Sequence, residues 1–176
     1  MRTLLITAAA GLLAILSGCE ALNSLTKFRM DYDKEFMIPA GVPADIPYDV
    51  PSPYFPTNSA QFFEDNNTSP DLVESCKLEQ MYAVITSPAG EDFSFVQTIS
   101  IYLGAKQLPE IKVAYKENVN ATDTLFLETG NDELKQYILQ DSIRLRVQLL
   151  TDEETQQELN TKVHGRFLVD AKILGI

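Results

Sequence analysis

Apolar and polar residues alternate with a period of two along most of this chain, and that period predicts strands. Phe28, Met30, Tyr32, Phe36 and Ile38 share one parity, with Arg29, Asp31 and Asp33 on the other. Ile99, Ile101 and Leu103 alternate with Ser100 and Tyr102, and Ile111, Val113 and Tyr115 with Lys112, Ala114 and Lys116. The last two runs are the cleanest. Ile143, Leu145, Val147 and Leu149 oppose Ser142, Arg144, Arg146 and Gln148, while Val163, Phe167, Val169, Ala171 and Ile173 oppose His164, Arg166, Asp170 and Lys172. The polar stretch Thr151 to Glu158 between them reads as a hairpin turn. Leu78 to Thr86 is apolar at both parities, which predicts a strand covered on both sides. Leu125 to Leu127 adds a short one.

Other segments interrupt this pattern. Seven of the nine prolines lie between Pro39 and Pro70, six of them in 39–56. Proline removes a ladder donor and fixes φ, so neither a central strand nor a helix interior fits there. The prediction is an extended, polyproline-like loop carrying Tyr48, Tyr54 and Phe55. It is either an arm that binds a partner or a crossover whose aromatics lie on the core. Ser69-Pro70-Asp71 predicts one helical turn reaching about Ser75. Ser87-Pro88-Ala89-Gly90 predicts a turn, and Asp92 caps another at Phe93 to Val96. Asn131 or Asp132 caps a brief helix over 133–140, with Leu134, Tyr137 and Ile138 on one side. About seven strands with short helical inserts point to an all-β fold, an immunoglobulin-like antiparallel β-sandwich.

The N-terminus bears on compartment. Arg2 precedes an apolar run from Leu4 to Leu16, about thirteen residues and too short for a spanning helix, which needs about twenty. A positive start followed by such a run reads as a signal peptide. Leu16-Ser17-Gly18-Cys19 follows at once and resembles the lipobox of bacterial lipoproteins. The resemblance implies lipid attachment at Cys19, cleavage before it, and anchoring to a membrane. Glu20, rather than aspartate, at the next position implies the outer membrane. Residues 1–18 are then the signal peptide, 19–25 a lipidated tether, and 26–176 a single domain. The tract from Leu72 to Gly175 is also similar to small β-sandwich domains of periplasmic lipoproteins, on its Ser-Pro-Ala-Gly turn and the Phe93-Ser94-Phe95 that follows.

Charge narrows the partners. Without Arg2 the mature chain carries 13 Lys+Arg and 25 Asp+Glu, a formal net charge of −12. That argues against nucleic acid and against electrostatic binding to anionic headgroups. With Cys19 lipidated, Cys76 is left alone and reads as a small buried hydrophobe. His164 is the only histidine, so neither a histidine-rich metal site nor a Ser-His-Asp triad is predicted. Asp31/Asp33 and Asp152/Glu153/Glu154 read as solvated carboxylates rather than a glycosidase pair. No catalytic residue, metal or cofactor is expected. Tyr48, Tyr54 and Phe55 are the candidate partner-binding residues. The expected role is that of an accessory lipoprotein docking on another envelope protein. The alternative is a binding module for a sugar, lipid or small ligand, with Tyr102, Tyr48 and Tyr54 as stacking platforms. Asp123-Thr124-Leu125 and Asp141-Ser142-Ile143 resemble acceptor sites for bacterial O-glycosylation.

Overall fold

The computed structural model describes residues 26–120 and 122–172. The signal run, Cys19, the tether and Ile173 lie outside the described residues. Ten strands follow in order: β1 (Lys27–Ile38), β2 (Tyr48–Pro51), β3 (Phe55–Pro56), β4 (Val73–Ser87), β5 (Val96–Ala105), β6 (Leu108–Glu117), β7 (Thr124–Phe126), β8 (Glu128–Thr129), β9 (Ser142–Thr151) and β10 (Leu159–Ala171). Two short helices join them, α1 (Ser59–Asp65) and α2 (Lys135–Ile138), with a 3-10 turn at Pro70–Leu72. Three strands exceed the seven expected: β2 and β3 lie in the proline-rich segment, and β8 has only two residues.

The strands form two antiparallel sheets packed as a sandwich. One is ordered β1-β10-β4-β7; the other is β2-β9-β5-β6-β8, with β3 also on β9. The pairs β1 with β10, β2 with β9, β4 with β7 and β5 with β6 are those of one long hairpin rolled up on itself. That is a jelly-roll order. It corrects the immunoglobulin-like expectation, in which first and last strands lie in opposite sheets; here β1 and β10 are neighbours. It also corrects the predicted last hairpin. β9 and β10 belong to different sheets, and residues 152–158 cross between them. Alternation says which side of a strand is buried but not which sheet the strand joins.

The core lies where alternation put it. β9 and β10 bury every second residue from Ile143 to Thr151 and from Leu159 to Ala171. β1 buries Met30, Phe36 and Ile38 on the predicted parity. Strands β4, β5 and β6 depart from strict alternation, each at a β-bulge, which flips parity; in β5, Val96 faces Thr151 and Thr98 faces Leu150, leaving Gln97 over. In β4, Arg166 faces Gln80 while Phe167 faces Leu78, leaving Glu79 over. Leu78 and Met81 therefore both point inward, and the predicted second apolar face is one face shifted by a residue. In β6, Ile101 faces Ala114 and Tyr102 faces Lys112. Val113 and Ala114 are both buried, and Tyr115 turns outward beside Lys112. The turn at Pro70 is shorter than predicted, because β4 already begins at Val73. The brief helix buries Leu134, Tyr137 and Ile138 as predicted, but no Asn131 or Asp132 side chain caps it. Glu133 Oε1 takes that part, accepting the amides of Lys135 and Cys76.

The two ends of the sandwich differ. β1 and β4 start, and β10 finishes, at one end, the base, where Ala171 N donates to Thr26 O and Thr68 Oγ1 to Lys172 O. At the other end, the tip, residues 39–47 are tied to 151–155. Asp45 N donates to Thr151 O, Val42 N to Thr155 Oγ1, and Thr151 Oγ1 to Pro43 O.

Candidate functional site

The proline-rich segment is an edge of the six-stranded sheet. Tyr48 to Pro51 pair with Leu149 to Arg146, and Phe55 and Pro56 with Ile143 and Ser142. An edge strand can hold prolines because only some of its backbone groups face a neighbour. The expected extended course is right, but the segment lies in a ladder rather than free. At the break between β2 and β3, Ser52 keeps the ladder satisfied. Its amide donates to Leu145 O at 2.7 Å, and Leu145 N donates to its hydroxyl at 3.0 Å. Thr57 then fastens the end of the segment, donating from its amide to Asp141 O and from its hydroxyl to Gln140 O.

The three aromatics of this segment have different surroundings. Tyr48 is half-buried and, opposite Leu149, packs on the core. Phe55 is also half-buried, its ring centroid 6.2 Å from that of Tyr32, with Lys34 Nζ 5.2 Å from its own. Tyr54 is 40% exposed. Arg144 Cζ lies 5.4 Å from its ring centre and Lys106 Nζ 5.9 Å, so two cations border an exposed aromatic on a strongly acidic chain.

Next to Tyr54, the outer face of the six-stranded sheet carries a charged network. Arg146 donates to Glu110 at 2.8 Å and also pairs with Asp49. Its guanidinium covers the ring of Tyr102 at 4.0 Å, so Tyr102 is not an open stacking platform. These carboxylates, Glu110 foremost, hold the Arg146 pKa above its ordinary value. Arg144 is less committed. Its Nη2 is 3.5 Å from Glu110 Oε1, and neither that oxygen nor Arg144 Nε has a hydrogen-bond partner among the described residues. That Nε is itself buried, while the side chain as a whole stays 40% exposed beside Tyr54. No period or motif marked Arg144, Lys106 and Tyr54 as neighbours, because they come from three separate strands and turns.

His164 is on the other sheet, so it is not beside Arg144 and Arg146, as a last hairpin would have made it. It stands in one row across four strands, Asp33–His164–Tyr82–Phe126. Its Nδ1 is 2.8 Å from Asp33, and its ring stacks on Tyr82 at 4.8 Å. Tyr82 lies 5.4 Å from Phe126, which is 57% exposed. Asp31 lies 3.4 Å from His164 Nε2, so two carboxylates and a phenol ring meet the imidazole. Cys76 is fully buried, and its thiol pKa is pushed up to about 12, chiefly by desolvation and then by the charge of Glu133. Such a thiol is inert at neutral pH. Among the described residues no group of three or more His, Cys, Asp or Glu is placed to hold a metal ion. Nor is any helix long and apolar enough to cross a membrane. Thr124 and Ser142, the two acceptor-like residues, are half-buried in ladders against Val84 and Pro56.

No protein-family model and no curated protein matches the chain. Among solved structures it is similar to a decameric BFDV capsid protein, at 10% identity over 81% of this chain and 98% of that one, with a TM-score of 0.36. It is also similar to FLHE, at 4% identity over 83% and 98%, with a TM-score of 0.32, and to turnip yellow mosaic virus, at 12% identity over 85% of each chain, with a TM-score of 0.29. At scores this low the likeness carries no argument, and function has to be read from the chain's own residues.

Proposed function

We propose that the mature chain is an envelope lipoprotein, held to the outer membrane through lipid on Cys19, and that its jelly-roll domain docks on another protein through the surface around Tyr54. The anchor reading rests on Leu16-Ser17-Gly18-Cys19 at the end of the almost wholly apolar run from Leu4 to Leu16. A single acyl chain gives marginal binding, so two or three chains on one cysteine are what stable anchoring requires. The docking reading rests on one observation: Tyr54 is the exposed aromatic of a segment otherwise fixed in a ladder. A residue held this way loses little entropy on binding, and tyrosine is enriched in interface cores. Arg144 and Lys106 beside it suit a partner that brings carboxylates. Crosslinked pull-down from membranes tests this. Tyr54→Ala should abolish recovery of the partner while the domain stays folded, and undiminished recovery would refute the docking surface.

A second reading, a binding module for a sugar, is favoured by the row ending in Phe126. An exposed ring beside Tyr82, with Asp33 and His164 along the same line, offers a stacking surface next to hydrogen-bonding groups. Binding of an oligosaccharide that is lost in Phe126→Ala and kept in Tyr54→Ala would select this reading over the first.

A further inference from the structure

Resting on the lipid anchor at Cys19, we infer that the domain stands with its base on the lipid headgroups and its tip directed away from them. Two independent features lead to this. The first is length. Seven residues, 20–26, separate Cys19 from Lys27, where β1 begins. A chain reaches at most about 3.3–3.6 Å per residue, so over the eight steps from Cys19 to Lys27 the start of β1 is held within roughly 29 Å of the lipid. β1 has 12 residues, and at about 3.3 Å each it is roughly 40 Å long. Inverting the domain would raise the start of β1 by that distance, beyond what the tether spans. The tip therefore cannot be the end that meets the membrane.

The second feature is charge, and it decides between standing and lying flat. The tip connections carry one carboxylate in 38–47, two in 87–96, two in 117–124 and four in 151–159, with no lysine or arginine among them. The base contrasts with this. Residues 26–27, 52–72, 105–107, 130–141 and 172 hold six carboxylates against four lysines, Lys27, Lys106, Lys135 and Lys172. The named base stretches sum to −2 and the tip stretches to −9, so an anionic leaflet repels the tip far more strongly than the base, and this repulsion dies away within about one Debye length, about 8 Å at physiological salt. Standing on its base, the domain holds the tip several Debye lengths out. Lying flat, it brings those carboxylates to the headgroups. Tyr54, Lys106 and Arg144 all belong to the base end, so a partner that reaches Tyr54 approaches along the membrane surface.

The test uses the full lipidated protein in vesicles of phosphatidylethanolamine and phosphatidylglycerol containing a headgroup nitroxide. One environment-sensitive fluorophore is placed at Asp71→Cys, in the base, or at Glu154→Cys, at the tip; both positions are exposed turns, and Cys76 is buried. The base probe should lose at least half its emission and the tip probe almost none. Raising salt should increase quenching at the tip as the repulsion is screened. Equal quenching of both probes at low salt would overturn the standing orientation, and stronger quenching at the tip would overturn the length argument too. Failure of the protein to sediment with the vesicles at all would instead overturn the anchor itself.

Discussion

Strand β9 and the segment beside it, Tyr48 to Pro56, share one ladder but have very different sequences. β9 lies inside its sheet with β5 on one side and β2 and β3 on the other. Its residues alternate without interruption, and Ile143, Leu145, Val147 and Leu149 are all buried. The neighbouring segment has three prolines, a break at Ser52-Pro53 and one exposed aromatic. The difference comes from position. An inner strand must satisfy neighbours on both sides, so its sequence is constrained at every residue. An edge answers to one neighbour only, so prolines can occupy it and Ser52 can lend its hydroxyl in place of a backbone group. The same freedom lets Tyr54 face outward while Tyr48 and Phe55 on either side of it lie on the core.

Four substitutions test that contrast. Leu149→Ala, at a fully buried site of β9, should cost about 2–5 kcal/mol of unfolding free energy, read from urea denaturation. A loss below about 1 kcal/mol would mean that β9 is not the core strand described. Phe55→Ala should cost less, about 1–3 kcal/mol, because the ring is only half-buried. If it instead left stability unchanged, Phe55 would join Tyr54 as a residue free to bind. Ser52→Ala removes the acceptor of the buried Leu145 amide and should cost about 1–2 kcal/mol. Slower exchange of that amide in the variant would contradict the hydrogen bond. Tyr54→Ala should change stability by no more than about 0.5 kcal/mol, as surface substitutions do. A drop comparable to that of Phe55→Ala would end the docking proposal, since Tyr54 would then be part of the fold.

The sequence was most readable where alternation was unbroken. Strands β1, β9 and β10 were legible with their buried parity, and the two-sheet sandwich followed from the number of such runs. The connectivity was not legible, because residues 152–158 can turn within a sheet or cross between sheets with the same composition. The bulges at Glu79 and Val113 were also hidden. Each adds one residue to a regular pattern, and apolar residues on both parities look the same whether a strand is covered twice or slipped once. The proline segment was half legible. Its extended backbone follows from proline itself, but its place in the ladder depends on Ser52 and Thr57, which have no local signature. The candidate site was legible only as Tyr54. Arg144 and Lys106 meet that ring through tertiary packing of separate strands, which no spacing along the chain records.

Incorporation of labelled palmitate is the decisive measurement for the anchor at Cys19. Cells expressing the wild-type chain or Cys19→Ala are grown with the label, and the protein is isolated from the membrane fraction. Label should enter the wild type and not the variant, and the variant should keep residues 1–18. Equal labelling of the two, or an unlabelled wild type, would contradict it.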